Sequence, residues 1–215
     1  MSAPSVRSTV KRNARRAEYD RGTLLDILRA QQLCYVAYVE EGEPRQIATL
    51  YFVDDEYLYL HGNRQAAYLR AIAAGQEVCI TVTIVDGVVV ARSGFNCSMN
   101  YRAVTVFGCG EVLADAAHLA ALDGFVRALV PGHEQVVRNP TSQEIAATTT
   151  VRIPLTEMSG KVRAGDPGDA EEDLASSVWA GVIPVQANAA TAVPSADLAA
   201  GIATPDYIQN FKYRG

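Results

Sequence analysis

EVCITVTIVDGVVVARSG, residues 77–94, decides the fold. Two apolar β runs flank Asp86-Gly87, and Asp-Gly between such runs is the strongest short hairpin signal, so two strands are expected here. The segments before it form a β-meander. LCYVAYVE (33–40) is rich in β-branched and aromatic residues, EGEP (41–44) turns the chain, and RQIATLYFV (45–53) is a second strand. After a turn at Asp54 and Asp55, EYLYLHG (56–62) alternates Tyr57, Tyr59 and His61 against Leu58 and Leu60, as a two-faced strand does. Beyond it, NYRAVTVFGCGEVL (100–113) reads as a long strand whose Gly108 and Gly110 suggest a bulge or a bend at a barrel corner. TTTVRIPLTEMSGKVR (148–163) reads as one last strand, which Pro154 restricts to an edge or a bulge.

Helical periods separate these strands. They appear at 22–32, at 63–75 with Gly75 as a stop, at 115–130 behind an Asp115 cap, and in a short piece at 142–147. The expected class is therefore mainly β with peripheral α. Six to seven antiparallel strands form a closed or nearly closed barrel, since consecutive neighbouring strands argue against a βαβ parallel sheet. The chain divides into a basic N-terminal arm (1–20), a barrel domain (21–165) and an extended tail (166–215). VWAGVIPV (178–185) is apolar enough to pack on something, and Tyr207, Phe211 and Tyr213 favour docking of the end of the tail.

Composition narrows the function classes. Among 215 residues nearly half are hydrophobic, enough for a full core, and the net charge of −5 argues against a general nucleic-acid binder. Arg7, Lys11, Arg12, Arg15, Arg16 and Arg21 crowd the arm, but without aromatic stacking partners or an apolar face they read as a solvated or packed arm. Cys34, Cys79, Cys97 and Cys109 form no CxxC pair and fit reduced, buried thiols of a cytoplasmic protein. Three widely spaced histidines assemble no zinc or di-iron site from local spacing, so no metal is expected. The start lacks a secretory h-region, and the apolar stretches are too short to span a bilayer.

Neither GxGxxG after a strand nor GxxxxGK[ST] occurs, which leaves Rossmann and P-loop chemistry without support. Ser93 is in no nucleophile elbow. HGNR (61–64) ends a strand and opens a helix, so free backbone N–H groups beside Arg64 or Arg70 suit a phosphate, although a plain strand-to-helix turn has the same pattern. Asn100, Tyr101 and Arg102 can grip a polar ring edge or a phosphate, or simply line a barrel mouth. Lys161 and Arg163 share a face of the last strand and, with Trp179, either close an anionic site or protect an exposed edge.

YDRGTLLDIL (19–28), LYLHG (58–62), VCITVTIVDGVVVARS (78–93), NYRAVTVFG (100–108), GKVRAGDP (160–167) and VWAGVIP (178–184) together resemble the flavin-nucleotide-binding proteins related to pyridoxamine 5'-phosphate oxidase. The resemblance covers roughly residues 7–185. It implies an FMN-binding split barrel that works as a homodimer, with the cofactor at the interface and a small-molecule substrate. Arg45, Ala48, Thr49, Leu50 and Tyr51 would follow the flavin ring and ribityl chain. His61, Gly62, Asn63 and Arg64, with Tyr68 and Leu69 behind them, would approach the phosphate. Asn100, Tyr101 and Arg102 would lie near the same cleft, and Lys161, Arg163 and Trp179 would reach it from the partner subunit. The chain departs from the family where a Ser and a basic residue usually follow LHG, since Ala66 and Ala67 stand there. It departs again ahead of SMNYR, where Asn96 and Cys97 replace a frequent pair of histidines. Each charge-assisted bond lost from a phosphate cradle costs about 1.5–3 kcal/mol.

The resemblance therefore implies an FMN-dependent oxidoreductase in which the flavin does the redox chemistry and the protein orients and tunes it. His61, Tyr51 and Tyr101 are the candidates for substrate-side proton transfer. A non-catalytic holder of flavin, deazaflavin or haem on the same fold is the alternative, and for haem the axial candidates are His61, Cys97 and Tyr101. A nucleic-acid-binding regulator acting through the arm stands a distant third.

Overall fold

The computed structural model describes residues 2–213, so Met1 of the arm and Arg214 and Gly215 of the tail lie outside the described residues. Ten strands form one antiparallel sheet: β1 (Ala17–Glu18), β2 (Leu33–Glu40), β3 (Glu43–Val53), β4 (Tyr57–Asn63), β5 (Glu77–Val90), β6 (Ser98–Cys109), β7 (Glu111–Val112), β8 (Thr148–Pro154), β9 (Glu157–Arg163) and β10 (Gly181–Pro184). Their spatial order is β1-β9-β6-β5-β2-β3-β4-β8-β7, with β10 paired to β5. Among the described residues five α-helices accompany them: α1 (Arg21–Arg29), α2 (Ala67–Ala73), α3 (Asp115–Leu129), α4 (Ser142–Ala147) and α5 (Asp206–Gln209).

The mainly-β antiparallel split barrel is the expected class, with more strands than the six or seven read from the sequence. Two differences have clear causes. Asp86-Gly87 makes no hairpin, because β5 runs straight through it and the pairing with β6 merely slips register between Val85 and Gly87. Gly87 is needed there for another reason: a Cβ on it would stand 2.9 Å from Val182 and 3.0 Å from the Ile183 carbonyl of β10. The dipeptide thus makes room for the tail strand. At 148–163 the single expected strand is two separate strands, β8 and β9, since the chain turns at Leu155 and Thr156 instead of bulging. The expected buried thiols are also only partly so. Cys34 is buried, and burial pushes its thiol up to about 12, whereas Cys97 and Cys109 are exposed.

β3 joins the two halves. Its first part pairs with β2 from Glu43 to Leu50, and its last residues, Tyr51 to Val53, pair with β4. The core fills the space between the halves. Leu58 faces Ile153 and Leu60 faces Val151 across β4 and β8, none of them exposed, and Ile80, Val82, Val104 and Val106 meet them from β5 and β6. α1 closes one end with Leu24, Leu25, Ile27 and Leu28. Its start is fixed by the Asp20 side chain, which accepts the Thr23 N–H at 2.9 Å. Gly108 and Gly110 allow close packing at the end of β6: a Cβ on the first would meet Ile153 of β8 at 2.9 Å, and one on the second would meet Ile72 of α2 at 2.4 Å.

The arm lies against its own barrel. Arg7 bonds Glu77 through both terminal nitrogens at 2.6 Å, reaches Glu157 at 2.5 and 2.8 Å, and stacks over Phe107 at 4.7 Å. Residues 186–205 form no helix or strand, and the chain then docks again through α5.

Two outcomes follow from this packing. Leu60→Ala, which empties a site with no exposure, lowers unfolding stability by about 2–5 kcal/mol in chemical denaturation. The Arg7 guanidinium and the Ser5 hydroxyl hold the Glu157 carboxyl down at about 2, below its ordinary 4.5. A lowered carboxylate contributes stability that is present above 4.5 and lost as pH falls toward 2. Thermal melts of the wild type and Glu157→Gln therefore differ at neutral pH and converge across that acid window, with a smaller difference in high salt.

Candidate functional site

The alternation of β4 divides the structure's two interiors. Leu58 and Leu60 enter the barrel core, while Tyr59 and His61 point to the opposite face, where α3 covers them. Phe52 stacks on Tyr59 with centroids 4.3 Å apart, and Phe125 of α3 meets Phe52 edge-on at 4.8 Å. The helix comes this close because residue 124 is glycine, where a Cβ would stand 2.8 Å from the Phe52 ring. Phe125 also contacts the His61 ring at 3.8 Å. Behind them His118 and Thr150 are both buried and joined by a 2.6 Å hydrogen bond between Nδ1 and Oγ1.

Beneath α3 this face opens into a cavity of about 850 Å³. That is within the 300–1,000 Å³ usual for cofactor sites. Leu119, Leu122, Phe125, Val126, Val137 and Ile145 give it apolar walls, and His61 and His133 line it as well. Nδ1 of His61 is buried without a hydrogen-bond partner, and burial lowers the basicity of this imidazole. His133 is differently held, with its Nδ1 2.9 Å from the Tyr207 hydroxyl of α5. Charged groups ring the mouth in pairs: Arg138 grips Glu144 at 2.6 and 2.8 Å, and Arg127 reaches Asp123 and, at 3.6 Å, Glu134. The donor set suits a large planar apolar group with anionic edges, bound through imidazole nitrogen.

The expected site residues fall into separate places. Tyr51 is buried, and its hydroxyl donates to the Leu28 carbonyl, so it is part of the core and does not line the cavity under α3. Tyr68 is buried too and donates to the His61 carbonyl at 2.8 Å, while Leu69 is a core side chain. The HGNR turn has used its amides: Arg64 N–H donates to the Ala147 carbonyl at 3.0 Å, Gln65 N–H to the Asn63 side chain at 2.9 Å, and Ala66 N–H to the Asn63 carbonyl at 2.8 Å. α2 is seven residues long, and no side chain caps its N-terminus. Arg64 itself is exposed.

The remaining residues are spread over both sides of the larger half of the sheet. Ala48 and Leu50 pair with Tyr35 and Leu33, and so point away from Cys34 and Val36 in the core. Thr49 shares its side of β3 with Arg45, which is drawn to Glu43 at 3.2 Å. Tyr101 pairs with Val85 and Arg163, and Lys161 with Ala103. Arg102 is committed to Asp86 through three contacts of 2.7–3.2 Å. Arg163 is buried, bonded to Asn100 and to the carbonyls of Gly165 and Asp166, with its Nε unpartnered. Gly62 admits the Tyr68 hydroxyl, since a Cβ there would meet it at 2.9 Å, and Trp179 is 62 % exposed. Of the expected set, the cavity under α3 is lined by His61 alone.

His133, Phe125, Arg138 and Tyr207 were not singled out as site residues. The apolar stripe Leu119, Leu122, Val126 on the 115–130 helix and the aromatic end of the tail were the available signals. Nothing in their spacing says that both meet the back of β4. No group of three or more His, Cys, Asp or Glu side chains able to hold a metal ion occurs among the described residues. Nor is any described helix long and apolar enough to cross a membrane.

Comparisons with known proteins agree with this architecture. No curated protein matches the sequence. The flavocytochrome Anf3 from Azotobacter vinelandii is 35% identical and superposes with a TM-score of 0.93 over 98% of this chain and 99% of its own. The FAD and haem binding protein from Mycobacterium smegmatis is 34% identical, with a TM-score of 0.89 over 93% of this chain and 100% of its own. The pyridoxamine 5'-phosphate oxidase family model matches residues 20–162, and with these two likenesses it establishes that the chain belongs to the pyridoxamine 5'-phosphate oxidase-like split-barrel family.

Proposed function

We propose that this protein is a flavin- and haem-binding redox protein that moves electrons between its two cofactors. The observation that carries the reading is the apolar cavity under α3, into which one sheet strand and one loop bring the imidazoles of His61 and His133. A neutral imidazole on apolar walls is the usual holder of haem iron, and distal polarity and access then set its chemistry. The two likenesses that span this chain nearly end to end are described as a flavocytochrome and as a FAD and haem binding protein, which supports the same reading. His61 and His133 would ligate the iron, Phe125 would pack on the ring and exclude water, and Arg138 at the mouth would meet the anionic edge. Haem supplies one-electron chemistry when bound, and flavin couples it to two-electron donors.

The flavin site belongs to the outer sheet face. Leu33, Tyr35, Val39, Val85, Met99 and Ile183 are each more than a third exposed, and strand pairing sets them on one side of the sheet. So large an apolar face is the mark of an interface, and a second copy of this chain is the partner that the family resemblance implies. Ala48 and Leu50 share this face, and Tyr101, Lys161 and Trp179 border it. These groups would hold the ring and the anionic end of the flavin nucleotide between two subunits. The family resemblance points to FMN, and the likeness described as a FAD and haem binding protein points to FAD.

Titration of the purified full chain with hemin tests the haem assignment. A saturable Soret band is expected for the wild type, weakened in His61→Ala and His133→Ala while the fold persists by circular dichroism. A colourless wild type, or binding indifferent to both substitutions, contradicts it. The mass of any flavin released on denaturation distinguishes FMN from FAD.

A further inference from the structure

The hydrogen bond between Tyr207 and His133 connects the last helix of the chain to the cavity wall. α5 follows twenty residues, 186–205, that form no helix or strand, so its position depends on what it touches. It touches the loop that carries His133. Gly132 takes a left-handed φ of +92°, and its absent side chain leaves room for the tyrosine, whose Cβ and Cγ lie 3.5 Å from where a Cβ would be. The ring centroids of His133 and Tyr207 are 5.8 Å apart, and the hydroxyl lies 2.9 Å from Nδ1. Packing and hydrogen bond together fix both the place and the rotation of the imidazole.

Resting on the haem reading above, we propose that Tyr207 is a positioning residue. It holds His133 with Nδ1 turned to the tail and the Nε2 lone pair turned to the cavity. The chemistry permits two arrangements of the shared proton. If the phenol donates to Nδ1, the proton of the neutral ring sits on Nε2 and no metal can bind there. If Nδ1–H donates to the phenol oxygen, Nε2 keeps its lone pair and gains basicity, the usual outer-shell support for a ligating histidine. Metal binding selects the second arrangement. The C-terminal segment is thereby a structural part of the cofactor site and no dispensable extension. His61, with its Nδ1 unpartnered, lacks such support, so the two imidazoles are inequivalent ligands.

Hemin titrations of the wild-type full chain, Tyr207→Phe, His133→Ala and the double variant test this. Loss of an outer-shell partner weakens metal affinity roughly 10- to 100-fold. A weakening of that size is expected for Tyr207→Phe, with a rise in the reduction potential as the imidazole becomes less basic. In the His133→Ala background the tyrosine substitution is expected to change nothing, because its effect passes through that ring. Wild-type affinity and potential in Tyr207→Phe would overturn the positioning role while leaving the haem reading intact, as would a loss that persists without His133. A wild type that binds no hemin, or a His133→Ala variant of undiminished affinity, would overturn the inference together with the ligand assignment beneath it.

Discussion

The strict alternation of β4 is the constraint on which the rest of the molecule depends. Leu58 and Leu60 must enter the barrel, where they meet Ile153 and Val151 without exposure. A strand has only two faces, so Tyr59 and His61 must leave on the other side. A one-residue slip would bury an imidazole in the barrel and expose two leucines, a loss of several kcal/mol that pins the register. The imidazole's place in the cavity is thus set by the hydrophobic effect in the opposite direction. α3 then roofs that second face, and Gly124 lets it approach the aromatic pair Phe52 and Tyr59 closely enough to pack.

The outer face of the larger half of the sheet is subject to a different logic. Leu33, Tyr35, Val85 and Met99 alternate outward with core residues between them, and among the described residues each stays more than a third exposed. The fold therefore has three surfaces of separate purpose: a filled barrel core, a roofed cavity, and an open apolar sheet. The tail serves two of them, adding β10 to β5 beside the open sheet and placing α5 against the cavity loop.

Much of this was legible in the sequence, and the limits of legibility are physical. Period-two patterning identified the strand that carries His61, because burial on one face leaves a signature in a single segment. Helical periodicity placed the helix that roofs the cavity, though not which strand it roofs. Asp86-Gly87 misled, since the dipeptide that usually makes a turn here accommodates the close approach of β10, a contact with a segment almost a hundred residues away. Tyr51 and Tyr68 looked available to a ligand, but each hydroxyl is spent on a backbone carbonyl, Leu28 and His61 respectively. At the HGNR turn the Arg64 amide is taken by the Ala147 carbonyl, a partner distant in sequence that no local pattern announces. Only His61 of the candidate site was legible, because Phe125, His133 and Tyr207 come from three other segments with no shared motif. Only the tertiary fold assembles them.

The most direct test of the account is an anomalous-scattering map at the iron absorption edge, from crystals of the full chain loaded with hemin. The account predicts a single iron peak per chain beneath α3, between His61 of β4 and His133 of the following loop. A peak on the outer sheet face, or one held by Cys97 or Tyr101, would contradict it.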